Sequence, residues 1–249
     1  MFDLYGKTCA SHLILGSAGF TSPDTLIEAI EAAAVELVTV NLPAPDSGYV
    51  LDDLNWDWLE AVSVDIMPAT LGCRTAQEAI QVASEAREAL NTDRIKLQID
   101  DPTNPDALFA AARQLVSSGF KVLPVIPPEL DIARRFVDAG CSALMPTGSP
   151  PGSGQGPGSF ERLARLRDGL DDVTLIVTGG IGRPSHAAQI MELGFDAVHI
   201  VSAIARAGDP VGMAEAFANA VDAGLSGYTA GLMEPEPASA EDDNQFWDL

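Results

Sequence analysis

A phrase of helix, glycine and strand recurs along this chain and limits its fold more than any other feature. Gly119, Gly140 and Gly194 each close a helical stretch and lead within a few residues into a β-rich segment, in SSGFKVLPV, DAGCSALMP and ELGFDAVHI. From Ser11 to about Gly224, eight β-rich runs alternate with longer helical patterns: HLILG, LVTVNL, VDIMPA, RIKLQID, FKVLPV, SALMPT, VTLIVTG and AVHIVS. Such alternation predicts an α/β chain of repeated βα units on a parallel sheet. Eight units within 249 residues fit a single-domain (βα)8 TIM barrel better than an open doubly wound sheet. Helix starts are predicted at Ser22-Pro23, at the capping box Thr75-x-x-Glu78, at Asn104-Pro105, at Arg183-Pro184-Ser185 and at Asp209-Pro210. The barrel is assigned to residues 1–231, and residues 232–249, acidic and Pro-containing, to a flexible tail whose Phe246 and Trp247 fray or dock on a partner.

The chain carries a formal charge of −22, and only three of its 14 basic residues are lysines, Lys7, Lys96 and Lys121. Nucleic acid and anionic membranes would be repelled by such a surface at long range, so neither is expected as a partner. A protein adapted to high salt, where screening removes the self-repulsion, has the same balance. Although 47% of residues are apolar, no uncharged run approaches the roughly 18 to 20 residues of a membrane helix. The N-terminal MFDLYGKTCASHLILGS lacks the basic start and apolar length of a secretory signal, so a cytoplasmic location is expected. Cys9, Cys73 and Cys141 are odd in number and show no CxxC spacing, so neither a disulfide framework nor a metal site is expected, and no cofactor is called for.

The fourth run, Arg94-Ile95-Lys96-Leu97-Gln98-Ile99-Asp100, alternates polar and apolar residues with period two. In a barrel the outer face lies under helices, so Ile95, Leu97 and Ile99 point outward and Arg94, Lys96, Gln98 and Asp100 inward. An inward lysine is costly unless paired with Asp100 or another buried acid, or unless desolvation lowers its pKa and yields a nucleophilic amine. Three segments at the C-terminal ends of the last three strands are rich in small residues: Gly148 to Gly156, Thr178-Gly179-Gly180-Ile181-Gly182, and Val201-Ser202-Ala203. Glycine lets backbone amides approach an anion, and barrels habitually bind phosphate after strands seven and eight. The amides of Gly152, Gly180 and Ser202 with a helix dipole share the charge, so no arginine is assigned to it. Gly180→Val is expected to abolish ligand binding with the fold intact.

These residues resemble a known family. SHLILGSAGF, ELVTVNL, GCRTAQEAI, IKLQI, AGCSALMPTGSPPGSGQG, GGIGRPSHAAQIMELGFDAV and SAIARAGDPVGMAEAFANAVDAGLSGY, in this order, are similar to bacterial thiazole synthase of the thiamin pathway over nearly the whole chain. The resemblance implies that Lys96 forms an imine with 1-deoxy-D-xylulose 5-phosphate. It implies that a small sulfur-carrier protein with a C-terminal thiocarboxylate donates sulfur, with dehydroglycine supplying the remaining ring atoms. It puts phosphate contacts on Gly152, Gly179, Gly180, Val201 and Ser202, and a homo-oligomer is expected. The chain departs from the family pattern where two carboxylates are the proposed acid and base: Gln98 replaces a glutamate and Thr178 an aspartate. Neither side chain titrates usefully, so Asp100 and His186 are the candidate replacements. The basic pair after the second strand is replaced by Asn41-Leu42-Pro43, and the first strand's Gly-Lys-aromatic turn reads Ala18-Gly19-Phe20. Three functions follow from this pattern: thiazole phosphate formation, a thiosugar synthase acting on another ketose phosphate, or a non-catalytic paralogue binding phosphate ligands or a carrier protein. The costly inward lysine favours the first two.

Overall fold

The computed structural model describes residues 1–44, 62–100 and 105–233. All eight β-rich runs form strands: β3 (Leu13–Gly16), β4 (Leu37–Asn41), β5 (Asp65–Ala69), β6 (Arg94–Leu97), β7 (Lys121–Ile126), β8 (Ala143–Pro146), β9 (Thr174–Thr178) and β10 (Ala197–Ile200). They pair in parallel and in chain order, and β10 returns to β3 with Val198 opposite Leu13, so the sheet is a closed barrel. The helices α1 (Pro23–Ala32), α2 (Ala76–Leu90), α3 (Pro105–Ser117), α4 (Leu130–Asp138), α5 (Phe160–Asp168), α6 (Pro184–Glu192), the short α7 (Ser202–Ala205) and the long α8 (Pro210–Ala230) surround it. The helix start at Asn104 and the tail from 234 onward, with Phe246 and Trp247, lie outside the described residues.

The helix expected at Pro184 starts there without a side-chain cap from Arg183, while three of the other expected starts are capped. The side chains of Ser22, Thr75 and Asp209 accept from the amides of Thr25, Glu78 and Gly212. The Glu78 carboxylate reaches back to the Arg74 amide at 2.7 Å, one residue before the usual capping-box donor. Gly119, Gly140 and Gly194 all sit at positive φ, 80°, 97° and 80°, which is why the helix-to-strand phrase needs glycine. Gly194 also leaves room for Tyr228 of α8, whose ring would stand 2.6 Å from an added Cβ. That contact helps seat α8 on α6, and α8 also packs on α1.

Period-two alternation divides the strands into two apolar layers. Leu13, Leu15, Val38, Val40, Ile95, Leu97, Val177, Val198 and Ile200 pack outward with the helices. Ile14, Leu37, Met67, Leu123, Met145, Ile176 and Ala197 fill the barrel interior. A hairpin absent from the sequence reading closes the N-terminal end. Its strands, β1 (Phe2–Leu4) and β2 (Lys7–Cys9), put Phe2, Leu4 and Cys9 into the interior cluster. Lys7 and Arg94 both grip Asp65 there, at 2.6 and 2.8 Å. Burial acts to raise the Asp65 carboxyl, but the two hydrogen bonds override it and hold the group below the usual carboxylate range.

Candidate active site

The inward residues change character at the C-terminal end of the barrel, where polar side chains replace the aliphatic layer. Lys96 is 6% exposed, and its strand neighbours Ile95 and Leu97 face the helices, as the alternation requires. The strand stops at Leu97, short of the expected alternation to Asp100. The Thr70 hydroxyl takes over the pairing, accepting from the Gln98 amide at 2.9 Å and donating to the Gln98 carbonyl at 2.7 Å. Asp100 is therefore exposed on the rim, where its carboxylate accepts from the Gly72 amide and the Gln98 side-chain amide at 3.1 and 3.0 Å. No ion pair to Lys96 forms among the described residues. Burial pulls the Lys96 ammonium from 10.5 down to about 8, with the Asp100 charge opposing from a distance. At pH 7 such a group is a free amine in roughly a tenth of molecules.

Lys96, Gln98 and Thr178 line one cavity of about 320 Å³. A second cavity of about 280 Å³ is lined by Gly152, Gly179, Gly180, Val201 and Ser202, all five of the residues expected at a phosphate. Thr178, Val201, Ser202, His199, Pro151 and Arg206 belong to both walls, so the lysine and the glycine loops face one continuous space. The loops interlock through backbone hydrogen bonds of 2.8 Å from Gly148 to the Thr178 carbonyl and from Gly156 to the Gly180 carbonyl. An added Cβ at Gly180 would collide with the Gly156 carbonyl and the Ser149 side chain, at a φ of 74°. Gly180→Val therefore deforms the loop pair itself and does not isolate ligand binding, contrary to the expectation above.

Two residues of the site escaped the sequence reading. Arg206 lies just beyond α7 and lines both cavities, its guanidinium 3.7 Å from where a Cβ on Gly152 would stand. His199, on β10 with 3% exposure, also lines both. Its Nε2 lies 2.8 Å from Thr39 Oγ1 and its Nδ1 2.9 Å from Thr178 Oγ1. Burial first, and then the charge of Lys96, push the imidazole well below its ordinary value, so it is neutral at pH 7. Alternation along Ala197-Val198-His199-Ile200 is the signal that would have found it, since Ala197 is interior and Val198 and Ile200 are exterior. His186, the other candidate base, lines neither cavity; its Nδ1 accepts from the Gly182 amide at 3.2 Å and its ring lies against Gly156.

Among the described residues no carboxylate lines either cavity, while Lys96 and Arg206 do, so an anion meets local positive charge inside a strongly acidic protein. Among the described residues, no group of three or more His, Cys, Asp or Glu is placed to hold a metal ion, and no helix is long and apolar enough to cross a membrane.

Comparison with known proteins identifies the family. The sequence profile of the thiazole biosynthesis protein ThiG matches residues 3–242. Thiazole synthase of Bradyrhizobium diazoefficiens is 43% identical over 256 residues, covering 99% of this chain and 98% of that protein. Thiazole synthase of Bartonella quintana is 44% identical over 94% of this chain and 93% of its own length. Among solved structures, the Amycolatopsis orientalis BexX/CysO complex superimposes with a TM-score of 0.83 at 30% identity, covering 95% of this chain and 98% of that one. Thiamine phosphate pyrophosphorylase of Pyrococcus furiosus, at 12% identity and a TM-score of 0.60, shares the fold alone. With a profile match over nearly all its length and relatives this similar throughout, the chain belongs to the thiazole synthase (ThiG) family.

Proposed function

We propose that this protein is a sulfur-incorporating transferase that holds a ketose phosphate as an imine on Lys96, with 1-deoxy-D-xylulose 5-phosphate as substrate and thiazole phosphate as product. One observation carries the reading: a buried lysine, depressed to about 8, faces a cavity that runs on into glycine loops and Arg206. The phosphate binds between Gly152, Gly179, Gly180, Val201 and Ser202, which leaves the carbonyl to reach toward Lys96. The free amine attacks the carbonyl carbon, and a C–N bond forms as the π pair moves to oxygen. Loss of that oxygen as water leaves the imine. Sulfur comes from a small carrier protein with a C-terminal thiocarboxylate. A second protein bound to the BexX fold in the BexX/CysO complex supports a protein partner of this kind. The barrel takes residues 1–231, and the protein acts in the cytoplasm as a homo-oligomer.

Gln98 and Thr178 favour a second reading, in which the sugar is another ketose phosphate and the product a thiosugar. Neutral amides and hydroxyls around Lys96 suit a more hydroxylated substrate, and they replace the carboxylates that the resemblance led us to expect. Borohydride reduction in the presence of 1-deoxy-D-xylulose 5-phosphate and of five- and six-carbon ketose phosphates, read by intact mass and located by peptide mapping, tests both. A mass increment on Lys96 with deoxyxylulose phosphate supports the first reading, and an increment only with a different ketose supports the second. Absence of any increment on Lys96 overturns both. The double variant Gln98→Glu with Thr178→Asp should raise thiazole formation under the first reading and leave it unchanged under the second.

A further inference from the structure

Among the described residues the cavity holds a lysine to form the imine but no carboxylate to move protons once it has formed. A base is still required: an imine on Lys96 advances only when a proton leaves the carbon beside it. Among the described residues of the wall shared by the two cavities, the neutral group able to accept a proton is His199. We propose that His199 is the proton acceptor of this site, acting through the hydroxyl of Thr178, and that Thr178 is the group that meets the substrate. The proposal rests on the imine reading above.

The geometry sets the direction of the relay. A neutral imidazole offers one donor and one acceptor, so of the two threonine hydroxyls bound to it one accepts and the other donates. Thr178 Oγ1 has two acceptors within reach, His199 Nδ1 at 2.9 Å and the His199 carbonyl at 3.5 Å. The shorter contact takes the proton, because 3.5 Å is beyond the range of a good O–H···O bond. Nδ1 is then the bare nitrogen, and Nε2–H donates to Thr39 Oγ1 at 2.8 Å. Gly16 lies beneath this pairing: an added Cβ there would collide with Val201 Cγ2 and press at 3.3 Å on both His199 Nε2 and Thr39 Oγ1. The register agrees, since Thr178 is the β9 partner of His199 and Thr39 the β4 partner of Gly16.

In the step itself, the C–H bond beside the protonated imine breaks. Its electron pair becomes the C=C bond of an enamine, and the C=N π pair returns to the Lys96 nitrogen. The proton passes to Thr178 Oγ1 while Thr178's own proton passes to His199 Nδ1. A neutral enamine and an imidazolium result, the latter still donating from Nε2 to Thr39. Among the described residues, the charged groups that face His199 from the cavity wall are Lys96 and Arg206; β3 and β9 beside it carry none.

The test is deuterium uptake from solvent at the carbon next to the imine. Protein and the ketose phosphate that traps on Lys96 are incubated in deuterated buffer, and the uptake is expressed per trapped imine so that changes in binding or imine formation divide out. In the unmodified protein the normalised rate should be flat from pH 7 to 9 (roughly two units over which a histidine base stays neutral). His199→Gln should lower it roughly 10² to 10⁴-fold and make the residue rise about tenfold per pH unit, as hydroxide becomes the base. Thr178→Val should do the same, and Thr178→Ser should restore the flat profile. A His199→Gln protein that still traps the ketose and exchanges within about twofold of the unmodified protein with a flat profile would overturn the relay. If His199→Gln does not fold, the Thr178→Val and Thr178→Ser pair decides by the same criteria. Failure of the unmodified protein to trap any ketose on Lys96 would remove the imine reading and the relay with it.

Discussion

Lys96→Met isolates the energetic cost of the buried amine, because methionine fills nearly the same space without the charge. The ammonium titrates at 10.5 in the unfolded chain and at about 8 in the folded one. At about 1.4 kcal/mol per pH unit, that difference amounts to about 3 kcal/mol. Below pH 8 both states are protonated and the folded state bears the whole cost of burying the charge. Between pH 8 and 10.5 the unfolded chain binds more protons, so stability rises with pH and the cost disappears. The variant should therefore be the more stable protein at pH 7, by up to about 3 kcal/mol or roughly 6 to 12 °C in Tm for a chain of this size. The two proteins should converge as pH approaches 10.5. Denaturant unfolding of both at pH 7, 8.5 and 10 measures the gap, and every other titrating group cancels in the difference. A gap that stays constant across this range would mean that Lys96 titrates alike in both states, and the argument for a reactive free amine would fail. The same substitution should remove the borohydride-trapped product.

Arg206→Gln should weaken binding of the trapped ketose phosphate roughly 10- to 100-fold by calorimetry, the equivalent of losing hydrogen bonds from a charged donor worth about 1.5 to 3 kcal/mol. Unchanged affinity would return the phosphate to the backbone amides alone. Deletion of residues 1–9 uncovers the interior cluster where Phe2 and Leu4 are 7% and 1% exposed, which should lower stability by about 3 to 6 kcal/mol in denaturant unfolding. A loss under about 1 kcal/mol would show that the barrel end is sealed without the hairpin.

The barrel was legible in the sequence because its repeat is written in residues with few alternatives. A glycine at positive φ ends a helix in a way other residues rarely can, and β-rich runs between such glycines have only a parallel sheet to join. The N-terminal hairpin was not legible. Its strands are three residues each, too short for alternation to register, and its turn places Tyr5 at φ 58° beside Gly6 at φ 82°. Two left-handed residues make a type I′ turn, for which Asn-Gly is the recognisable signal and Tyr-Gly is not.

Lys96 and His199 occupy equivalent inward positions on β6 and β10, yet only the lysine was found. A lysine between Ile95 and Leu97 contradicts the barrel interior so strongly that it demands an explanation. A histidine between Val198 and Ile200 reads as an ordinary half-polar core residue. What distinguishes it is the pair of hydroxyls contributed by Thr39 and Thr178, from positions 160 and 21 residues away. Thr178 was read as the loss of a carboxylate, from the side chain alone. The fold adds that the hydroxyl lies against an imidazole, and removal of one titratable group is a loss of function only if no neighbour supplies another. Closure of the barrel fixes which positions point inward, and the inward positions fix which side chains pair. Distances between strands far apart in sequence exist only after closure, and the proton chemistry of this site depends on them.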